Sequence, residues 1–156
     1  MTLDRLPARI VSRWPPGRQA CTGDRGWGRP GVATAKRLAG DGARITIADI
    51  DEQAMDAVAE QIRADGGQCE TWRLDLSEPA ALAELQLEID VLVNNAAIQF
   101  VAPIQDYPYE KWDLIQRLKL TATFLLIRAC LPHMYAGGYG RIVNISSAHG
   151  LRTSVY

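Results

Sequence analysis

The chain has 156 residues, a formal net charge of −1 and 47% apolar residues, values that fit one globular domain rather than two. The near-neutral charge argues against a generic nucleic-acid-binding protein, and no run of apolar residues is long enough to span a membrane. Three widely spaced cysteines predict neither a disulfide framework nor a metal site, and they favour a reducing, cytoplasmic location.

The first 31 residues differ from the rest in composition, because they contain six of the arginines and four of the eight prolines. This composition predicts a poorly structured N-terminal segment over residues 1–16 and a domain over residues 17–156. An arginine-rich transit-like segment is one alternative. A shifted reading frame over residues 1–31 is another, since a regular pattern begins only near Gly31.

From there on, helical and strand patterns alternate. Helix-favouring residues cover 32–38, and a β-branched run follows over 43–48. A helix is predicted over 51–64 with Asp51 as its N-cap, and a weak strand over 68–74.

The second half continues the alternation. Ser77 is predicted to cap a short helix that ends near residue 85, and a strand follows over 89–93. A loop then precedes a long helix over 109–134 and a last strand over 141–145. Each strand is a short apolar run, which is typical of strands buried on both faces. The sequence therefore predicts an α/β fold with a doubly wound parallel sheet, Rossmann-like, that binds ligands at the carboxyl ends of its strands.

A glycine-rich segment precedes the first helix. Gly26, Gly28 and Gly31 form the pattern G-x-G-x-x-G, and Asp49 follows Gly28 by 21 residues at the end of the next strand. Such glycines let backbone amides approach a pyrophosphate, and the acidic residue accepts hydrogen bonds from the adenosine ribose. A carboxylate there would repel a 2′-phosphate, so the cofactor expected is NAD. The alternative is an ordinary glycine-rich loop.

Polar residues also follow the next two strands. Asp75 and Leu76 come after the third strand, where a carboxylate can meet the adenine amino group, although a simple turn is equally compatible. Asn95, Ala96 and Ala97 come after the fourth strand, where a cofactor contact and a purely structural role are both open.

The last strand ends at a pair of serines. The Ser147 hydroxyl is placed to bond a substrate oxygen, and Gln99 and His149 lie in loops at the same edge of the sheet. Each is also compatible with an ordinary turn or surface position.

Taken in order, these motifs resemble the short-chain dehydrogenase/reductase family, and the resemblance is carried by Thr22-Gly23, Asp49, Asp75-Leu76, Asn94-Asn95-Ala96-Ala97 and Asn144-Ile145-Ser146-Ser147. The segments 98–104, 110–113 and 147–151 are similar to members that act on 3-hydroxybutyrate. The resemblance implies hydride transfer between NAD and a hydroxy acid or ketone, with Ser147 as the catalytic serine. It implies a tyrosine that acts as the general base and a lysine close to that tyrosine. It also implies that Gln99 and His149 hold the substrate carboxylate, and that the protein forms a homo-oligomer.

The sequence departs from the family pattern at several positions. Ala97 replaces a glycine, and Lys119 stands on the apolar stripe of the long helix where the family has an asparagine. Tyr156, the last residue, lies only nine residues after Ser147, which is too close for the catalytic tyrosine. We therefore expect a sheet that is incomplete on its C-terminal side, and negligible turnover. The alternative is a non-catalytic dinucleotide-binding or interaction fragment that associates with an intact homologue.

Overall fold

The computed structural model describes residues 9–12 and 29–147. Its strands are β1 (Arg9–Ser12), β2 (Arg44–Asp49), β3 (Gln68–Arg73), β4 (Val91–Asn94) and β5 (Arg141–Asn144). They pair in parallel in the order β3-β2-β1-β4-β5. The chain moves outward from β1 to β3 and then crosses back to β4, so the order reverses beside β1. This arrangement confirms the predicted doubly wound parallel sheet.

Helices connect consecutive strands on both faces of the sheet. They are α1 (Arg29–Gly40), α2 (Glu52–Ala64), α3 (Pro79–Ala83), α4 (Tyr109–Gln116) and α5 (Ala122–Gly137). A π-helical turn (Arg117–Thr121) joins α4 to α5, and a 3₁₀ turn (Ile104–Asp106) lies in the loop after β4. Among the helices described, none is both long enough and apolar enough to cross a membrane.

Two apolar clusters cover the two faces of the sheet. Ile45 and Met55 belong to the cluster beneath α1 and α2, whereas Leu82 and Leu126 belong to the cluster beneath α3 and α5. Successive residues of a strand point to opposite faces, and in β4 Leu92 enters the second cluster while the next residue enters the first. Burial on both faces explains why β2 and β4 read as continuous apolar runs.

The cap predicted for α2 is confirmed, and the cap predicted for α3 is wrong. Asp51 Oδ1 accepts a hydrogen bond of 3.0 Å from the Ala54 amide, as expected of an N-cap. In α3 the N-cap is Glu78, and its side chain makes no capping bond. Ser77 instead donates its hydroxyl hydrogen to Asp75 Oδ1 at 2.7 Å, because a nearby carboxylate is a stronger acceptor.

Strand β1 lies within residues 1–16, for which we predict no regular structure. Ile10 pairs with Ile45 on one side and Val91 on the other, which places β1 between β2 and β4. The apolar signal is only two residues long, whereas the pairing comes from backbone groups that any residue supplies. The rest of residues 1–28 lies outside the described part, so the domain start at residue 17 stays a prediction.

The long predicted helix is interrupted at its centre. In the π-helical turn the hydrogen bonds run from i to i+5, which widens the turn and rotates the residues that follow. Leu118 and Ala122 remain buried, but Lys119 is exposed. The exposure of Lys119 agrees with a lysine that extends its charged end from the apolar stripe to solvent.

Helix α5 ends where a pair of glycines predicts it. Gly138 has φ of +63°, a left-handed conformation that glycine adopts without steric cost. The Gly138 amide donates to the Tyr135 carbonyl at 3.2 Å, and the Tyr139 amide donates to the Met134 carbonyl at 3.1 Å. These bonds satisfy the last carbonyls of the helix and turn the chain into β5.

Candidate functional site

The carboxyl ends of all the described strands meet at one edge of the sheet. In a doubly wound sheet this edge opens into a crevice where the strand order reverses. The predicted site residues Asp49, Asp75, Asn95 and Ser147 all follow strands at this edge. The topology therefore brings together residues that are up to 98 positions apart in the sequence.

The end of β2 carries a carboxylate held in a fixed orientation. Asp49 is fully buried, and its Oδ1 accepts hydrogen bonds from the amides of Ile50 at 2.7 Å and Asp51 at 3.1 Å. Its backbone carbonyl accepts from the Leu74 amide at 3.0 Å, which links the ends of β2 and β3. A buried carboxylate needs such donors to offset desolvation, and a carboxylate oriented in this way can accept hydrogen bonds from a vicinal diol.

The loop after β3 fixes a second carboxylate. Asp75 Oδ1 accepts from the amide of Ser77 at 2.8 Å and from its hydroxyl at 2.7 Å. Leu76, between them, is 4% exposed and packs in the core. The loop is thus anchored on both sides of its polar residue, which suits a carboxylate that must meet a planar ligand at a defined place.

The ends of β4 and β5 are joined by an amide pair. Asn94 Nδ2 donates to Asn144 Oδ1 at 2.9 Å across the two strands, so Asn94 has a structural role there. Asn95 is 8% exposed. Ala96 packs against the core and, with Asn95 and Leu76, lines a small cavity of about 10 Å³. That volume corresponds to about one water molecule.

The predicted substrate residues are less enclosed. Ser147 and Gln99 are both exposed, and His149 lies outside the described residues. The glycine motif is also mostly outside them, which applies to Thr22, Gly23, Gly26 and Gly28. Gly31 is buried in the first turn of α1 and Ala97 is partly buried in the loop after β4.

Sequence reasoning missed one contact at this edge. Arg117, the first residue of the π-helical turn, donates from Nη1 to the Ser77 carbonyl at 3.0 Å. Its Nε lies 2.9 Å from Asp113 Oδ2. The spacing of Asp113 and Arg117 indicates an i, i+4 ion pair, but nothing in the sequence connects this pair to the loop after β3.

The two described cysteines are unsuited to nucleophilic chemistry. Burial raises the pKa of the Cys69 thiol to about 11 and that of Cys130 to about 12. The reactive form is the thiolate, so both remain protonated near neutral pH.

The sequence is similar to known dehydrogenases along most of its length. The sequence profile of the family described as short chain dehydrogenase matches residues 23–156. The D-beta-hydroxybutyrate dehydrogenase of Rhizobium meliloti (strain 1021) is 35% identical over 135 residues, which are 81% of this chain and 52% of that protein. The enzyme of the same name from Cupriavidus necator is 38% identical over 132 residues, or 80% of this chain and 51% of that protein.

Solved structures show the same similarity. The crystal structure of a metagenomic short-chain oxidoreductase in complex with NADP superimposes with a TM-score of 0.73 at 32% identity. The match covers 90% of this chain and 62% of that one. The chain spans about half the length of the two curated relatives.

Proposed function

Because this chain belongs to the short-chain dehydrogenase family, we propose that it is the dinucleotide-binding part of an NAD-dependent oxidoreductase. The reaction proposed is hydride transfer between NAD and a short hydroxy acid of the 3-hydroxybutyrate type. The observation that carries the cofactor proposal is the buried Asp49 carboxylate, which two backbone amides hold at the end of β2. Bound NAD would supply the hydride acceptor, and the residues of this chain would bind and orient it.

The proposed roles follow the order of the strands. Asp49 accepts from the adenosine ribose, and Asp75 accepts from the adenine amino group. The amides of the glycine-rich segment approach the pyrophosphate at the start of α1. The remaining contacts proposed for the cofactor are those of Thr22, Gly23, Gly26, Gly28, Gly31, Leu76, Asn95, Ala96 and Ala97.

On the substrate side, Ser147 is proposed to bond the oxygen at the reacting carbon. Gln99 and His149 are proposed to hold the carboxylate of the hydroxy acid. The similarity of this chain to two D-beta-hydroxybutyrate dehydrogenases supports that substrate class.

The 156-residue chain is proposed to bind the cofactor with negligible turnover. A positioned general base contributes about 10²–10⁴-fold to the rate of such reactions. The tyrosine and lysine that the family resemblance implies for this step have no assigned counterpart among residues 29–147. A rate of NAD reduction by the purified chain with 3-hydroxybutyrate that is ordinary for an enzyme would overturn this part of the proposal.

The test of cofactor choice compares NADH with NADPH in fluorescence titrations. A carboxylate about 4 Å from a phosphate costs about 1–4 kcal/mol, depending on the local dielectric, so wild-type protein should bind NADH at least about fivefold more tightly. Asp49→Asn keeps the Oδ1 acceptor for the two amides and removes the charge. In this variant the preference should fall to about twofold.

Asp56→Asn is the matched control, because Asp56 is an exposed carboxylate of α2 whose Oδ1 accepts from Thr71 Oγ1 at 3.1 Å. It should retain the wild-type preference. An unchanged preference in Asp49→Asn, with the fold intact by circular dichroism, would remove Asp49 from the site.

A second candidate function is association with an intact homologue. The helical run consists of α4, the π-helical turn and α5, residues 109–137. Large apolar side chains on it are exposed, namely Trp112 at 52%, Leu120 at 64% and Phe124 at 61%. All four residues of β5 are exposed as well. Exposed apolar surface of this kind is typical of subunit contacts. Co-purification with a full-length dehydrogenase would support it, whereas a strictly monomeric chain that leaves such an enzyme unchanged would contradict it.

A further inference from the structure

The π-helical turn between α4 and α5 reaches across to the loop after β3. Arg117 Nη1 donates a hydrogen bond of 3.0 Å to the Ser77 carbonyl, 40 residues earlier in the chain. Ser77 in turn donates both its amide and its hydroxyl to Asp75 Oδ1, at 2.8 and 2.7 Å. Three residues therefore form one continuous chain of contacts from the helical run to a carboxylate at the carboxyl edge.

The ion pair between Asp113 and Arg117 adds little to the stability of the contact between Arg117 and the loop after β3. The side chains of Asp113 and Arg117 are 41% and 37% exposed, and exposed pairs of this kind contribute about 0–1 kcal/mol to stability. Although Arg117 Nε lies 2.9 Å from Asp113 Oδ2, it has no hydrogen-bond partner among the described residues. The guanidinium group is therefore directed by the hydrogen bond from Nη1 to the Ser77 carbonyl. A charged donor on a backbone carbonyl is a stronger hydrogen bond than a neutral one.

Beyond the buried Leu76, the loop after β3 leads into a short element. Helix α3, which follows it, is only five residues long, and its N-cap side chain makes no hydrogen bond. A helix of that length contributes little rigidity by itself. Ser77 holds the Oδ1 atom of Asp75, and Arg117 holds the Ser77 carbonyl in turn.

We propose that Arg117 is a positioning residue that sets the Asp75 carboxylate for the adenine end of the dinucleotide, which rests on the proposed function above. Arg117 touches neither the cofactor nor the substrate in this proposal. Its effect reaches the adenosine half of the ligand through Ser77 and leaves the nicotinamide half unaffected.

The experiment compares Arg117→Leu with Arg128→Leu. Arg128, on α5, donates from Nη2 to the Ala83 carbonyl at 2.5 Å, so it makes the same kind of contact at the far end of α3. Arg117→Leu should weaken binding of NADH and ADP-ribose about fivefold, as expected for loss of one charge-assisted hydrogen bond acting indirectly. Arg128→Leu should change both affinities less than about twofold. Arg117→Lys retains the charge and should recover part of the loss.

Reduced nicotinamide mononucleotide, which lacks the adenosine half, separates positioning from general loosening. Its affinity should be the same in wild type and Arg117→Leu. An equal loss for this ligand and for NADH, or equal NADH affinity in wild type and Arg117→Leu, would overturn the proposal.

Amide hydrogen exchange without ligand tests the contact itself. The amides of residues 76–78 should exchange about tenfold faster in Arg117→Leu than in wild type, while those of β2 stay unchanged. Unchanged exchange at 76–78 would overturn the anchoring step. Wild-type protein that is folded but binds no NADH would overturn the proposed function, and with it the ligand assigned to Asp75, while faster exchange in the variant would still support the anchor.

Discussion

The two ends of the carboxyl edge differ in how completely the described residues enclose them. At the β2–β3 end, Asp49 is fully buried and Asp75 is held by two hydrogen bonds from Ser77. At the β5 end, every residue of the strand is exposed, and Ser147 beyond it is exposed as well. Polar residues at the ends of strands form a binding site only where neighbouring residues also fix and enclose them.

The largest expected effect contrasts one substitution at the two ends. Ile45 in β2 is 0% exposed and Ile142 in β5 is 36% exposed. Ile45→Ala should lower the free energy of unfolding by about 2–5 kcal/mol, because it leaves a cavity in a packed cluster. Ile142→Ala should cost about 0.5 kcal/mol or less. Urea unfolding of both variants checks this, and equal losses would mean that β5 is covered in solution.

A smaller effect is expected at the turn that follows Asp49. Asp51→Ala removes the side-chain cap of α2 and should cost about 1 kcal/mol. Glu78→Ala is the control, because the Glu78 side chain makes no capping bond in α3, and it should be nearly neutral. Thermal unfolding of the two variants measures the difference. A loss as large for Glu78→Ala would contradict the assignment of the α3 cap.

The hydrogen-bonded pair Asn94 and Asn144, at the β5 end of the edge, should contribute a similar or smaller amount to the free energy of unfolding. Asn94→Ala and Asn144→Ala each remove the 2.9 Å hydrogen bond between β4 and β5. A double-mutant cycle on the free energy of unfolding should give a coupling of about 0.5–1.5 kcal/mol. A coupling near zero would show that β4 and β5 are joined by backbone pairing alone.

The last effect is confined to high pH and concerns Cys130 in α5. Burial raises the pKa of Cys130 to about 12 from its ordinary 9.0. The unfolded thiol therefore ionises at a lower pH than the folded one, so stability is unaffected below about pH 9 and falls as the pH rises toward 12. Urea unfolding at pH 8 and pH 10.5 should show a smaller decline for Cys130→Ala than for wild type. Equal declines would place Cys130 in contact with solvent.

Much of the fold could be predicted because its signals are local and repeated. Buried parallel strands require apolar runs on both faces, and Ile45 and Leu92 lie in such runs. The Asp51 cap follows from the geometry of a helix start, which any aspartate in that place satisfies. Strand β1 gave too little signal, because only two adjacent apolar residues mark it and its neighbours in space are 35 or more residues away.

The site was predictable in position but not in its contacts. Parallel strands bring their carboxyl ends together, so the edge that carries Asp49 and Asp75 follows from topology. The choice of Ser77 to bond Asp75 rather than cap α3 depends on three-dimensional competition between acceptors. The link from Arg117 depends on a π-helical turn, for which the sequence has no comparable local signature.

Binding of AMP can be mapped on the amide resonances of the chain by NMR. We expect saturable shifts at residues 49–51 and 75–77, with residues 141–147 unaffected. That result would show that the enclosed end of the edge binds adenosine without help from the open end. A folded chain whose shifts are absent, or are confined to 141–147, would contradict the central claim that the enclosed end is the dinucleotide site.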